Sequence, residues 1–433
     1  MVCEDLELLA IHDPVHESSG ATMSSSVVAS PLSVGNRASL TINAPVSLVA
    51  AAGIIGGAAL LGAVINPRQA ALYVLGAALG LVLYHAAFGF TSAWRVFIAD
   101  RRGEGLRAQM VMLAIASILF FPVLASGSLV SQPVAGNVSP AGIGVVFGAF
   151  IFGIGMQMGG GCASGTLYTV GGGSTRMLIT LAAFIAGSAI GAAHLHWWVA
   201  LPSLPAISII KSWGPWTALA VQLVVFALIA AVTVVFEKRR HGRLITADPS
   251  PREGLSRFLR GPWPLVAGAV ALALLNFLTL YLAGRPWGVT SAFALWGSKI
   301  AAAIGFDVAS WPYWSTPARQ AELNGSIFND ITTVMDFGII LGALLAAALA
   351  GRFAPTWKVP LRSAIAAVVG GLLLGYGARL AYGCNIGAYF SGIASGSLHG
   401  WVWLVAAFAG NVVGTRVRPL FGLEVERVKL TGC

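Results

Sequence analysis

Two cysteines at matched positions in the two halves of the chain are the residues best suited to chemistry. Cys162 and Cys384 each stand in a Gly-Cys-x-x-Gly motif, and the segments 153–165 and 375–387 align without a gap at an offset of 222 residues. Besides the cysteine, the two segments share four glycines, two of which frame the thiol. The framing glycines are Gly161, Gly165, Gly383 and Gly387. A thiol is a soft, polarizable group, and its repetition favours a paired site.

A bland alternative applies to each cysteine taken alone, because a buried free cysteine behaves as a small apolar side chain. The matched pair favours function over that interpretation. A disulfide between Cys162 and Cys384 is geometrically conceivable, but a glycine-framed pair inside a membrane path argues weakly against it. Cys3 and Cys433 lie at the termini, and we expect them to be incidental.

Glycines around the cysteines predict a break in a membrane helix. The run 159–161 is Gly-Gly-Gly, and the residues that follow each cysteine, 163–170 and 385–393, could form half-helices. Irregular backbone inside a bilayer is tolerated only where it is buried in protein or lines a polar cavity. A helix N-terminus presents N–H groups that favour an anion. The expected guest is therefore an anion with a soft, sulfur-like atom, or a soft metal cation.

Composition identifies the class of protein that carries these motifs. Of the 433 residues, 57% are hydrophobic and 10% are charged, compared with about 25% charged residues in soluble domains. No Lys, Arg, Asp or Glu occurs in 108–175 or in 261–284, and each stretch can hold one or more spans of about 20 residues. The net charge of +10 does not indicate a nucleic-acid partner, because the basic residues lie in loops between the apolar stretches.

The predicted fold is an all-α integral membrane protein with about ten transmembrane helices, broken or re-entrant half-helices, and two inverted-topology repeats. The predicted spans are 46–65, 69–88, 107–125, 141–159, 177–197, 216–236, 263–283, 331–350, 361–382 and 399–415. The lipid bilayer is therefore a partner of the chain.

Basic loops predict the orientation. The loop 95–107 holds four Arg, 237–260 holds seven Lys or Arg, 352–362 holds three, and the tail from Arg416 holds four. The positive-inside rule places these loops in the cytoplasm. The opposite loop 126–140 has no basic residue.

The orientation makes the two motif copies inverted, because span four then runs inward towards Cys162 and span nine runs outward towards Cys384. A second echo supports the repeat: Gly-Phe-Thr-Ser-Ala-Trp at 89–94 matches Gly-Val-Thr-Ser-Ala-Phe at 288–293. Spans two to five and seven to ten form the repeats, with spans one and six as additions. Such repeats are typical of transporters, whose sites lie where helices break at the repeat interface.

The predicted organisation divides the chain into five parts. These are a disordered segment 1–44, a first half 45–236 with repeat 1 at about 69–197, a basic cytoplasmic loop 237–262, a second half 263–418 with the inverted repeat, and a cytoplasmic tail 419–433. No cleaved signal peptide is expected, because the start of the chain lacks a basic segment followed by an apolar one. Met23 is an alternative start.

These motifs carry a family resemblance. The paired Gly-Cys-x-x-Gly motifs, the Thr-Ser-Ala segments, Arg-Pro-Trp-Gly at 285–288 and Val-Met-Asp-Phe-Gly at 334–338 together resemble the YeeE/YedE family of bacterial inner-membrane sulfur-compound transporters, over roughly residues 45–418. The resemblance implies an hourglass-shaped inverted-repeat fold with a narrow central path. It also implies that cysteine thiols pass the substrate onward through S–H···S hydrogen bonds, with Cys162 and Cys384 in the two central roles.

One position departs from the family pattern. Thiosulfate-importing members carry a further cysteine between two phenylalanines in the first short segment, where this chain has Phe88-Gly89-Phe90. The relay predicted here therefore has two thiols. A related sulfur or selenium species is accordingly an alternative to thiosulfate.

Charged residues near the motifs give weaker predictions. Arg379 lies in span nine, five residues before Cys384, and should face the path or a partner because a cation in the bilayer is costly. Asp336 is its candidate counter-ion, and an ion pair of purely structural importance is an equal alternative to an anion attractant. Lys299 could attract anions or reach the interface. Arg176 is expected to mark the cytoplasmic end of the first half-helix, and the pair His194 and His196 is a weak metal signal.

The resulting prediction is a membrane transporter, not an enzyme, that takes up an inorganic sulfur anion, most simply thiosulfate, along a path containing Cys162, Cys384, their framing glycines and Arg379. No cofactor is expected, and no phosphate-binding loop that would use ATP is present in the sequence. A cytoplasmic sulfur-handling protein is a candidate partner. Two alternatives remain: a soft-metal transporter, which should add Met or His near the thiols, and a membrane sulfurtransferase that forms a persulfide.

Overall fold

The structure, a computed structural model, describes residues 41–245 and 254–425. Within these ranges, ten helical segments are long and apolar enough to cross a membrane, which confirms the predicted all-α integral membrane protein. The predicted disorder of 1–44 falls almost wholly outside the described residues. Met23, Cys3 and Cys433 also lie outside them.

Seventeen α-helices are described, most of them in membrane spans. They are α1 (Ala44–Val64), α2 (Pro67–His85), α3 (Phe90–Asp100), α4 (Glu104–Ser126), α5 (Ile143–Gly159), α6 (Ala163–Gly171), α7 (Thr175–Val199), α8 (Ile209–Trp213), α9 (Pro215–His241), α10 (Gly254–Arg260), α11 (Leu265–Ala283), α12 (Thr290–Ala303), α13 (Pro317–Asn324), α14 (Ile331–Leu349), α15 (Leu361–Leu380), α16 (Gly392–Ala394) and α17 (Leu398–Val417). Single turns of 3₁₀-helix occupy Val308–Ser310, Pro312–Trp314, Ile327–Asn329 and Arg418–Phe421, and Asn385–Ser391 is π-helical.

Sheet structure in the described residues is confined to two antiparallel pairs of two-residue strands between helices. They are β1 (Ser128–Leu129) with β2 (Gln132–Pro133), and β3 (Ala141–Gly142) with β4 (Ser203–Leu204). The second pair ties the segment before α5 to the segment after α7.

Local sequence accounts for the helix ends. α2 begins where the Asn66 side chain accepts a hydrogen bond from the Gln69 N–H at 2.9 Å and Pro67 occupies the first turn, an arrangement that satisfies a free N–H and fixes the backbone. α9 ends in Lys-Arg-Arg-His before Gly242, whose φ is +72°. Basic side chains favour the negative end of a helix, and glycine adopts this left-handed cap without strain.

Glycines set the packing of the central helices. A Cβ on Gly155 of α5 would lie 2.8 Å from the Gly370 carbonyl oxygen of α15, and a Cβ on Gly377 would lie 2.5 Å from the Gly148 carbonyl oxygen. The contacts pair the late part of α5 with the early part of α15, so the two helices pack antiparallel. These four glycines are themselves two matched pairs at the 222-residue offset.

The main contacts between the repeated helices stay the same when the matched helices of the two halves are exchanged. α5 packs on α17 and α15 packs on α7, while α2 packs on α14 and α11 packs on α4. The sequence places spans one and six outside the repeats, yet α1 packs on α14 and α9 packs on the matched helix α4. This is the pattern that a two-fold relation between the halves produces, and it supports the inverted-repeat prediction.

The outermost helices present apolar surface. In the most apolar 18-residue window of α1 only 11% of residues are buried, and in that of α9 only 22%. α1 carries exposed Leu48 and Ile55, and α9 carries exposed Val224 and Leu228. Apolar faces of this length are what a lipid-facing helix requires.

Replacing either matched glycine at a close helix contact by alanine should destabilise the protein. A Cβ on Gly153 would lie 2.2 Å from the Ala407 carbonyl oxygen, and a Cβ on Gly375 would lie 2.2 Å from the Phe184 carbonyl oxygen. We expect Gly153→Ala and Gly375→Ala each to cost about 1–3 kcal/mol, seen as a lower midpoint when the fraction of folded protein is followed by size-exclusion chromatography after heating. Gly56→Ala is the control, since a Cβ there meets nothing within 4 Å. Equal midpoints for all three variants would refute this account of the packing.

Candidate functional site

Both cysteines lie at the start of a short helix that follows a broken span. α5 ends at Gly159, the chain turns through Gly160 at φ +92°, and Cys162 is the N-cap of α6. In the second half, α15 ends at Leu380 and Cys384 is the N-cap of the π-helical segment Asn385–Ser391. The predicted half-helices are thus present in the structure. The second is π-helical with a single α-helical turn, α16, after it.

The turn that precedes each cysteine uses the left-handed backbone region. Gly160 and Tyr382 occupy matched positions, with φ of +92° and +53°. A tyrosine is uncommon there, and Gly383 follows it at φ +149°. The glycine before the second cysteine is therefore required by the backbone conformation, as its place in the motif predicts.

Each thiol accepts a backbone hydrogen bond at the beginning of its helix. The Gly165 N–H donates to Cys162 Sγ at 3.4 Å, and the Ile386 N–H donates to Cys384 Sγ at 3.4 Å. Ser164 Oγ lies a further 3.5 Å from Cys162 Sγ. N–H groups at a helix start stabilise negative charge on the atom they face. The same groups can serve a thiolate or the edge of an anion.

The two cysteine segments meet in the core. Cys162 is 1% exposed and Cys384 is fully buried, and both belong to one contiguous cluster of buried residues. α6, which begins after Cys162, contacts the π-helical segment that begins after Cys384. The described residues thus bring the two predicted site cysteines together from opposite halves.

Open space adjoins both thiols. Gly165 and Gly387 are buried, yet a Cβ on Gly165 would meet only Cys162 Sγ, at 3.5 Å, and a Cβ on Gly387 would meet only Asn137 Nδ2, at 4.0 Å, besides their own helices. Most other buried glycines face backbone atoms at less than 3 Å. The last glycine of each motif therefore borders a small unfilled volume, where a guest could contact sulfur and backbone N–H groups together.

A fully buried amide in the second thiol segment lacks a hydrogen-bond partner among the described residues. Asn385 directly follows Cys384, and neither its Oδ1 nor its Nδ2 has a hydrogen bond in the described part of the chain. Unpaired buried polar atoms are rare in proteins and call for an explanation such as a ligand. Only its adjacency to the cysteine could have singled out Asn385 in the sequence.

Matched residues five positions before each cysteine make matched contacts. The Gln157 side chain donates to the Thr91 carbonyl at 3.2 Å, and the Arg379 guanidinium donates to the Thr290 carbonyl at 3.3 Å. Thr91 and Thr290 are the threonines of the two repeated Thr-Ser-Ala segments. In each half, the segment that carries the cysteine motif is therefore hydrogen-bonded to the segment that carries the Thr-Ser-Ala motif. Gln157 was missed, although the alignment of the repeats places it opposite Arg379.

The predicted ion pair between Arg379 and Asp336 is wrong. Arg379 instead donates to the Tyr313 hydroxyl at 2.7 Å, and its guanidinium carbon lies 5.6 Å from the centre of that ring. Asp336 is fully buried, and neither carboxylate oxygen has a hydrogen-bond partner among the residues described. Arg379 and Asp336 lie on helices that turn these side chains to different neighbours, which spacing along the chain does not reveal.

Arg379 connects the thiol segment to a cavity near the N-terminus of α14. This cavity has a volume of about 510 Å³, and the residues that line it include Tyr313, Arg285, Arg319 and Glu322. The Arg319 guanidinium carbon lies 3.9 Å from the centre of the Tyr313 ring. Two arginines therefore line this cavity and a third, Arg379, contacts its Tyr313. We call it the outer vestibule because the predicted orientation puts this end of α14 on the outer side.

Acidic groups partly offset the charge of the outer vestibule. Burial raises the pKa of the Glu322 carboxyl, and the carboxylate of Asp330 raises it further, against the opposing effect of the arginines. Glu322 is therefore protonated at a higher pH than an ordinary glutamate as the pH falls. The vestibule becomes more positive on acidification, which favours an anion.

Two further basic residues have structural roles. Arg176 donates to the Met158 and Gly159 carbonyls, each at 2.6 Å, and so caps the end of α5. Lys299 donates to the Leu323 and Gly325 carbonyls, at 2.5 and 2.7 Å, at the end of α13. Arg176 thus caps the span before the thiol and not the half-helix whose end it was predicted to mark. Lys299 has the structural role that was one of its two predicted alternatives.

Gly89, the position of the third family cysteine, lies beside α6. A Cβ there would lie 3.6 Å from the Tyr168 hydroxyl and 2.4 Å from Ser92 Oγ. Metal chemistry has less support at this site: in 41–245 and 254–425, no three His, Cys, Asp or Glu side chains are grouped as a metal would need. His194 and His196 lie against Trp197 instead.

Comparison with known proteins identifies the family. The model of the sulphur transport family matches residues 85–413, so the chain belongs to that family. The thiosulfate transporter TsuA of Spirochaeta thermophila is 27% identical over 358 residues, covering 78% of this chain and 95% of the relative. The TsuA of Escherichia coli is 26% identical over 348 residues, covering 78% and 91%. The probable transporter YedE of Escherichia coli is 30% identical over 171 residues, or 39% of this chain, and the match spans 42% of that relative's length.

The burial of the thiols predicts their reactivity. In a variant with Cys3→Ser and Cys433→Ser, a bulky maleimide carrying polyethylene glycol should leave the folded protein unmodified, since Cys162 and Cys384 are 1% and 0% exposed. Both should react after unfolding in dodecyl sulfate, which gel mobility reports as two additions. Two additions before unfolding would contradict the burial described here.

Proposed function

We propose that this member of the sulphur transport family carries thiosulfate inward across the bacterial inner membrane through a path between the two half-helix N-termini. The observation that carries the proposal is the meeting of Cys162 and Cys384, each an N-cap, beside unfilled space in the buried core. The TsuA relatives, which align with most of this chain, are named thiosulfate transporters.

Thiosulfate matches the chemistry of this site. Its three oxygens can accept hydrogen bonds from N–H groups at the two helix starts, each start contributing about 0.3–2 kcal/mol depending on burial. Its terminal sulfur is a soft acceptor for a thiol S–H donor. The Asn385 Nδ2 can donate a further hydrogen bond to the anion, since it has no partner among the described residues.

The proposed route begins in the outer vestibule. Arg285 and Arg319 attract the anion, and Arg379 passes it from Tyr313 to the thiol of Cys384 and then to Cys162. The inner end of the route lies by Gln157, which accepts a hydrogen bond from Arg95 at 3.4 Å and whose carbonyl accepts one from Arg418 at 2.5 Å. The thiols form only hydrogen bonds with the guest, and no covalent bond is made or broken.

The orientation is part of the proposal. Its support is the predicted cytoplasmic location of the basic loops, together with the antiparallel packing of α5 and α15. On the inner side, the anion would be delivered to a cytoplasmic sulfur-handling protein. A related sulfur or selenium anion is the alternative guest, because Gly89 leaves one thiol fewer than thiosulfate-importing members have.

The competing classes have less support. A sulfurtransferase must present its persulfide to an acceptor, but both thiols are buried. A soft-metal transporter would use nearby Met or His, whereas the Met156 sulfur accepts a hydrogen bond from Asn411 at 3.5 Å and the matched second-half residue is Ala378.

Growth of a thiosulfate-uptake-deficient bacterium on thiosulfate as sole sulfur source tests the proposal. We expect rescue by the parent chain and loss of rescue with Cys162→Ala or Cys384→Ala at equal membrane levels, because each removes one thiol of the path. Cys433→Ala is the control and should rescue. Rescue by both central variants would reject the thiol relay, and failure of the parent would redirect the search to other sulfur or selenium anions.

Arg379→Gln tests the role of charge on the outer side. Glutamine is the residue at the matched position in the first half, where it keeps the bond to the threonine carbonyl. Loss of a charge-assisted contact worth about 1.5–3 kcal/mol should raise the KM for thiosulfate roughly 10-fold or more in proteoliposomes. Lys299→Gln is the control, since the Lys299 ammonium donates to the Leu323 and Gly325 carbonyls at the end of α13. An unchanged KM for Arg379→Gln would remove Arg379 from the path.

A further inference from the structure

Asp336 is a buried carboxyl that the proposed thiol path does not use. It lies in the second turn of α14, is fully buried, and neither of its oxygens has a hydrogen-bond partner in the described ranges. An ionised carboxylate in such a place is strongly unfavourable without a cation or N–H donors, so the group is stable there only when it carries a proton. Ionisable residues inside membrane spans commonly mark ion or proton pathways.

The groups around Asp336 do not neutralise it. Asp336 interacts electrostatically with Asp330, at the start of the same helix, and with the Cys384 thiol. Helices α1, α2, α6, α10 and α12 pack against α14. Their titratable groups are Arg68, Tyr73, Tyr84 and His85 on α2, Tyr168 on α6, Arg257 and Arg260 on α10, and Lys299 on α12, while α1 has none. No ion pair joins any of them to Asp336 among the residues the structure describes.

Hydroxyl groups connect the outer vestibule to the turn that holds Asp336. Asp330 and Ser291 line the vestibule. The Thr333 hydroxyl donates to the Asp330 carboxylate at 2.7 Å, and the Ser291 hydroxyl donates to Thr332 Oγ1 at 2.8 Å. Thr332 and Thr333 stand four and three residues before Asp336, which places them on the same face of α14, one turn nearer the vestibule.

A carboxyl that binds a proton can offset the negative charge that the anion carries across the membrane. Each negative charge carried inward against a membrane potential of 100 mV lowers the attainable accumulation about 50-fold. A proton carried with the anion cancels one of these charges. A carboxyl that is stable only when protonated, and that lies one helical turn from hydroxyls bonded to vestibule residues, is suited to bind that proton.

We propose that Asp336 is the proton-binding site of a proton-coupled anion transporter. This inference rests on the proposed thiosulfate transport. The carboxylate takes one proton from the outer vestibule, forming an O–H bond, while the anion moves between the thiols. The proton is released to the cytoplasmic side after the anion has left, and no electrons are transferred.

Proteoliposomes of the full chain test this, with labelled thiosulfate outside and a pH-sensitive dye inside. With pH 6.0 outside and 7.5 inside, the parent should accumulate thiosulfate and acidify the lumen. In Asp336→Asn, the gradient-driven accumulation should fall at least 5-fold and the acidification should be lost. Thiosulfate counterflow at equal pH should stay within twofold of that of the parent. Asp307→Asn, an exposed outer carboxylate, is the control and should behave as the parent.

The outcomes separate the two proposals. Absence of counterflow in the parent would reject thiosulfate transport itself, and the proton site with it. Counterflow in the parent without lumen acidification, or gradient-driven accumulation retained by Asp336→Asn, would overturn the proton site alone. If Asp336→Asn loses counterflow as well, Asp336→Glu decides: retained proton coupling supports a titratable carboxyl, and its loss in a variant that keeps counterflow refutes it.

Discussion

The N–H groups at two helix starts in the middle of the molecule are the constraint on which the rest of the structure depends. A span that breaks inside the bilayer exposes backbone donors that lipid cannot satisfy. Here each break is capped by a cysteine sulfur that accepts an N–H at 3.4 Å. Gly165 and Gly387, one in each of these helix starts, adjoin small open volumes. This local arrangement is the basis of the proposed site for an anion with a soft atom.

The two halves are equivalent in packing but not in charge. The bond from Gln157 to Thr91 repeats as the bond from Arg379 to Thr290, so one architecture holds both thiol segments. The second half has a guanidinium at Arg379 where the first half has the neutral amide of Gln157. In the proposed path, this asymmetry strengthens anion capture on the outer side while the backbone geometry stays the same. Asp336 adds a second asymmetric feature, because this buried carboxyl without a hydrogen-bond partner in the described residues belongs to the second half.

Patterns within the sequence predicted the features that depend on composition and local conformation. The ten spans were predicted from the lengths of the apolar stretches. The half-helices were predicted from the glycines around Cys162 and Cys384, since glycine is the residue that permits these turns. The pairing of Arg379 with Asp336 was wrong because the rotation of each helix about its axis is set by packing, here by glycine contacts across α2, α14 and α15. Tyr313 was not predicted as a partner of the site, because its role arises from a hydrogen bond with Arg379, which is distant in the chain. Asn385 was not predicted, because the sequence does not show that its amide is buried without a hydrogen-bond partner among the described residues.

An experimental structure with a selenium analogue bound tests the central claim most directly. Crystals grown with selenosulfate, in which selenium replaces the terminal sulfur, would give an anomalous signal at the position of the soft atom. The account predicts a peak between Cys162 Sγ and Cys384 Sγ, next to Gly165 and Gly387. A peak confined to the outer vestibule, or one in the membrane region remote from both thiols, would contradict it.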